Sequence, residues 1–157
     1  MLESSATIIA ALVGFVGGLV VAAFTFRQKA DELFLAGLEY LDHGSQRRNL
    51  GIAALELSWP SRRHRVVTVQ LLVGVALYLL LESEQRDAAH EVANLERIME
   101  LVTSKDGRAC LADSQRTTLL RALETKREQP TSGRGVWIEV PDLDRWIDRL
   151  QGQVPAQ

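Results

Sequence analysis

The sequence predicts an all-α protein: one N-terminal transmembrane helix followed by a cytosolic antiparallel helical bundle. Three observations carry this expectation. Residues 6–26 form a run of 21 without a charge. Beyond that run, apolar residues recur every three or four positions, which is the period of a helix and not of a strand. Glycine, proline and serine then cut the chain into pieces of helical length, with capping residues at the cuts. The expected organisation is an anchor over 1–26, a cytosolic helical domain over 27–128, and a linker with a short helix over 129–157.

The first element is "TIIAALVGFVGGLVVAAFTF", residues 7–26. At about 1.5 Å per residue, the uncharged run makes roughly 32 Å of helix, close to the hydrocarbon thickness of a bilayer. A cleavable signal peptide is the competing reading, with "VAA" at 21–23 as a passable cleavage site. Signal peptides, however, carry a positive n-region and a shorter apolar run, and Glu3 is the one charged residue before this segment. Arg27 and Lys29 follow it directly, and nothing basic precedes it. The positive-inside rule then places the N-terminus outside and the rest in the cytoplasm, a single pass through an inner or plasma membrane.

Ala10, Gly14, Gly18 and Ala22 stand at four-residue steps on one face of this helix. Small residues so spaced let two helices approach closely in lipid, so this face predicts self-association. Gly and Ala are also simply common in membrane helices, and that reading stays open beside it.

The charge distribution supports the division. The chain of 157 residues has a net charge of −2, with 18 basic and 20 acidic residues. All of these but Glu3 lie after residue 26. A domain so close to neutral is not expected to bind nucleic acid. The single cysteine, Cys110, leaves no intrachain disulfide to form and fits a reducing compartment.

In the cytosolic part, a first helix is expected over 27–42, with Leu33, Phe34, Gly37, Leu38 and Leu41 as its apolar face. "HGS" at 43–45 ends it, and Ser45 caps a second helix over 46–57. There the stripe is Leu50, Ala53, Ala54 and Leu57, widened by Ile52 and Leu55. "WPS" at 59–61 breaks the chain, and Ser61 caps a third helix reaching residue 83. Its segment 66–81, "VVTVQLLVGVALYLLL", is 16 residues without charge. This is short for a span and carries Gln70 and Thr68, so it is expected to be buried on all sides. A two-span hairpin is the alternative. A fourth helix over 84–103 has Ala88, Val92, Leu95, Met99 and Val102 on one face. "SKDGR" then turns the chain, and a fifth helix over 114–127 points Leu119, Leu120 and Leu123 inward. "VWIEV" at 136–140 reads as a short extended piece. Pro141 and the acids beside it start a last helix, with Leu143, Trp146, Ile147 and Leu150 on one side.

"SQRRNLGIAALE" at 45–56 echoes "SQRTTLLRALE" at 114–124. These helices, "RRNLGIAALE" above all, resemble helices of HEAT-type repeats over about residues 30–127. The resemblance implies a short helical repeat used for binding, and it carries no catalytic centre.

His43, His64 and His90 lie on three different segments, with no HExxH and no CxxC. P-loop, GxSxG and GxGxxG patterns are also missing from the sequence. No catalytic residue, metal ligand or cofactor is expected. His43 reads as a residue of the helix-ending turn, His64 as part of a basic cluster, and His90 as solvated. Glu39, Glu56 and Glu96 read as surface carboxylates.

That basic cluster is "SRRHR", 61–65. Arg62, Arg63 and Arg65 fall in the first turn of a helix, where the dipole opposes cations and an anion would be welcome. If the helices run up and down from the membrane, the third begins beside Arg27 and Lys29. These five residues are then expected to meet anionic headgroups, each worth about 1 kcal/mol near such a surface. Pairing with acids of neighbouring helices is the alternative. In the tail, Trp137, Trp146, Ile147 and Leu150 could dock a partner groove or pack on their own domain.

The expected function is a membrane-anchored cytosolic interaction or scaffold module, not an enzyme. Its partners would be membrane lipids, a second copy through the transmembrane helix, and a protein of unknown identity. The alternative is a membrane-active effector that oligomerises and forms pores or lesions through 6–26 and 66–81. A cryptic enzyme or enzyme subunit is a third class.

Overall fold

A computed structural model describes residues 25, 26, 28–41, 45–85, 88–129 and 134–152. These residues are helical almost throughout, and there is no strand among them. The expected contact face Ala10–Gly14–Gly18–Ala22, Arg27 and His43 lie outside the described residues.

Seven helices are present among them. Helix α1 covers residues 25–41, with residue 27 outside the description. It is followed by α2 (Ser45–Ser58), α3 (Arg62–Leu81), α4 (Ala89–Thr103), α5 (Lys105–Arg108), α6 (Asp113–Glu128) and α7 (Val140–Gln151). Helix α3 packs against α4 and α6, α7 closes over α6 and α4, and α2 lies on α4. One apolar cluster runs through all of them but α5, from Leu41, Ile52 and Leu55 through Leu72, Leu79, Leu95 and Met99 to Leu119, Leu123 and Trp146.

The buried face of α2 differs from the expected stripe. Ile52 and Leu55 are fully buried, while Leu50 and Leu57 stand outside. The cause is Gly51, beside Ile52, which brings α1 against this side of the helix: a Cβ there would meet the Gly37 carbonyl oxygen at 2.9 Å.

The segment "SKDGR" is a helical turn in its own right. Ser104 Oγ accepts from Gly107 N at 3.0 Å and so caps α5. Gly107 lies where a Cβ would collide with the carbonyl oxygens of Leu101 and Val102. Helix α4 starts at Ala89, five residues later than the spacing predicts. Glu82 N and Ser83 N close on Tyr78 O and end α3, and Ser83 O accepts from Gly135 N at 2.8 Å. The 83–85 stretch is therefore committed to a tertiary contact and does not begin the next helix.

Residues 136–139 are extended without joining a sheet. Val136 and Ile138 face the core and Trp137 faces outward, the two-residue alternation of an extended piece. Val136 N donates to Leu79 O at 2.8 Å, and Lys126 Nζ donates to Arg134 O at 3.2 Å. The segment thus covers the end of α3 and satisfies a carbonyl of its last turn. Helix α7 follows, with Pro141 in its first turn and Gly152 at φ 78° closing its end.

Helix α3 is not buried on all sides. His64, Thr68, Val69, Leu72, Val73, Ala76, Leu79 and Leu80 face the core. Val66, Val67, Leu71, Tyr78 and Leu81 on the opposite side are exposed. Among the described residues, α3 is the one helix long and apolar enough to cross a membrane by length and composition; 44% of its most apolar stretch is buried in the fold.

Candidate functional site

The beginnings of α1 and α3 lie side by side. Between them is an open cavity of about 470 Å³ lined by Phe26, Ala30, Asp31, Ser61, Arg63 and His64. Two contacts fix the arrangement. His64 Nε2 donates to Asp31 Oδ1 at 2.7 Å, and the His64 ring stacks on Phe34 with centroids 4.6 Å apart. His64 is buried and so does not belong to a solvated basic cluster. It belongs to the face that also holds Thr68, Leu72 and Ala76, four residues apart each time. The other nitrogen, Nδ1, is buried with no hydrogen-bond partner, as is Thr68 Oγ1.

The arginines of "SRRHR" divide. Arg65 turns inward: Nε donates to Trp59 O at 3.1 Å, Nη1 reaches Asp106 at 2.7 Å, and the guanidinium lies over the Trp59 ring. It is engaged by its own chain. Arg62 and Arg63 are exposed, as is Lys29 on the facing helix. None of these three makes an ion pair among the described residues. Ser61 makes no side-chain cap bond and the first turn of α3 has no acid. The positive end of a 20-residue helix and three unpaired cations therefore share one corner of the fold.

Other charges are spent within the structure. Arg48 pairs with the buried Glu91 at 2.6 Å and lies over the Tyr78 ring. Arg97 holds Glu56 and Asn49. Arg149 and Arg145 share Glu100. Glu91 is polar by type and nothing in its own sequence neighbourhood names its partner; its position in the helix period is the one signal it carries. It lies on the stripe Glu91, Leu95, Ile98, Val102, all of them buried.

The tail residues are also divided. Trp146, Ile147 and Leu150 are in the core, so α7 occupies them with its own domain, and Trp137 is the one of the four that is exposed. His90 is exposed and contacts Gln85 at 3.3 Å. Cys110 is half-buried against the core. No group of three or more His, Cys, Asp or Glu is placed to hold a metal among the described residues.

No protein-family profile, curated protein or solved structure matches this chain.

Proposed function

We propose that the chain is a membrane-anchored helical interaction module, held by residues 6–26 with its helical domain in the cytoplasm. The observation that supports this most is the shared corner of α1 and α3. Lys29, Arg62 and Arg63 are exposed there with no ion pair among the described residues, and Lys29 closely follows the uncharged run that would enter the bilayer. Lysine and arginine at that level meet anionic headgroups, and the free N-terminal end of α3 adds to the attraction. Arg65 is left out of the set because Asp106 and Trp59 hold it. Leu33, Leu50 and Leu57 on the outer sides of α1 and α2 are large, apolar and exposed, which supports a protein partner for this domain.

The orientation is tested with sealed vesicles of known sidedness. Protease added to right-side-out vesicles should leave residues 28–152 intact, and protease added to inverted vesicles should digest them. Digestion from the outer face would overturn the proposed topology.

The open apolar side of α3 supports the effector as a second reading, in which this helix enters the bilayer beside residues 6–26. Dye release from liposomes carrying the chain would favour it. Tight liposomes at every protein density would remove it.

A further inference from the structure

Six arginines are half-buried among the described residues. Four of them hold a carboxylate: Arg48 pairs with Glu91, Arg65 with Asp106, Arg97 with Glu56 and Arg149 with Glu100. The other two, Arg108 and Arg116, make no ion pair among the described residues. Both line one open cavity of about 230 Å³, together with Lys105, Ala109 and the end of α7 from Leu150 to Gly152.

The fold uses few of their donors. Arg108 Nη1 donates to Arg149 O at 2.7 Å and so answers a carbonyl at the end of α7. Arg116 Nη2 reaches Arg108 O at 3.5 Å. The Nε of each is buried with no hydrogen-bond partner. A guanidinium carries five N–H donors, so most of these are unassigned within the chain. Lys105 is exposed and also lacks an ion pair among the described residues. No carboxylate lines the cavity among the described residues. Of the acids nearest in sequence, Asp106 is held by Arg65, and Asp113 and Asp148 are exposed outside the cavity. Three cations thus share one cavity without a counter-charge, and a half-buried charge left in that state is costly until an anion joins it.

We propose that this cavity binds a phosphate monoester. Such a group carries about −1.5 to −2 charge at pH 7 and three acceptor oxygens. Each guanidinium fork pairs with two oxygens at once, and Lys105 adds a point charge. A carboxylate would bring one charge and two oxygens, too few for three cations. The size agrees, because sites that enclose a drug-sized ligand run to about 300–1,000 Å³, and this one takes a single compact group. The cavity is separate from Lys29, Arg62 and Arg63, yet it lies at the same end of the bundle: Asp106, next to Lys105, holds Arg65 in the first turn of α3. A lipid headgroup and a soluble monoester can therefore both reach it. The site goes beyond the anchoring reading, since binding a soluble monoester needs no bilayer.

The test uses the full chain in a non-ionic detergent, with inorganic phosphate as the probe and chloride at matched ionic strength as the control. Phosphate should raise the melting temperature in a saturable way, and chloride should not. Arg116→Met and Lys105→Gln should each weaken phosphate binding about tenfold or more. Lys105 is exposed and bonds nothing in the fold, so its variant keeps the test decisive even where Arg116→Met folds poorly. Arg62→Gln with Arg63→Gln should leave the phosphate response unchanged. A rise that chloride equals, no rise at all, a rise that survives in Lys105→Gln and Arg116→Met, or one lost with Arg62 and Arg63 would each overturn the proposal. A second arm assigns the source, using the chain in phosphatidylcholine nanodiscs with and without phosphatidic acid. A phosphate response abolished by phosphatidic acid assigns the cavity to a lipid headgroup, and an undiminished response assigns it to a soluble monoester; either upholds the site. Carbonate extraction reads the anchor and not this cavity, so the two readings can fail independently.

Discussion

Gly37 and Gly51 meet where α1 crosses α2: a Cβ on Gly51 would stand 2.9 Å from the Gly37 carbonyl oxygen and 3.0 Å from Leu41 N. These neighbours are backbone, so nothing at the crossing can swing aside. Gly51→Ala must push α1 away from α2 and disturb the Phe34–His64 stack that joins α1 to α3. The expected cost is about 1–3 kcal/mol, the range for inserting a methyl into a packed site. Urea unfolding in mild detergent reads this as a lowered midpoint. An unchanged midpoint would mean that α1 is not seated on α2.

Gly135 is another glycine without a substitute. Its φ of 94° lies in the left-handed region, and a Cβ would collide with the Leu80 carbonyl. Gly135→Ala should cost about 2–4 kcal/mol through strain and collision together. It should also free the Val136 amide, which donates to Leu79 O. Hydrogen exchange at Val136 is the direct readout, with faster exchange expected.

Glu91 is buried and its cation is Arg48, with side chains 5% and 13% exposed. Arg48→Met leaves a buried carboxylate without its charge partner and should cost about 3–5 kcal/mol. Adding Glu91→Met removes the stranded charge and should recover most of the loss. A double-mutant cycle by chemical unfolding measures the coupling. Equal losses in the single and the double variant would contradict the pairing.

Trp146 is fully buried by α7 against its own domain. Trp146→Ala should therefore destabilise the fold by about 3–5 kcal/mol, and removal of residues 129–157 should lower the melting temperature as well. Unchanged melting with loss of a copurifying protein would mean that α7 serves a partner instead.

What the sequence disclosed follows from how locally each feature is determined. Helix period alone located the buried faces of α6 and α7, because Leu119, Leu123, Trp146 and Leu150 repeat without interruption. The break at "WPS" and the start of α7 at Pro141 are local backbone chemistry and were legible too. The face of α2 was not, because Ile52 and Leu55 compete with an equally apolar stripe at Leu50 and Leu57. A glycine crossing with α1 decided between them, and that is a tertiary contact. His64 and Glu91 were hidden for a related reason. Each is polar by type, yet each falls on an apolar stripe, and its partner lies on another helix. The division among Arg62, Arg63 and Arg65 is a tertiary matter too: Arg65 is held by Trp59 and Asp106, which lie outside α3, whereas Arg62, three residues earlier on the same side of the helix, stands a turn before that contact.

Whether the chain is held in a membrane at all is the claim on which the rest of the functional account depends. Alkaline carbonate extraction of membranes carrying the intact chain tests it most directly. The account predicts that the chain stays in the membrane pellet through high salt and carbonate and leaves only with detergent. Release into the supernatant by salt or carbonate would contradict it.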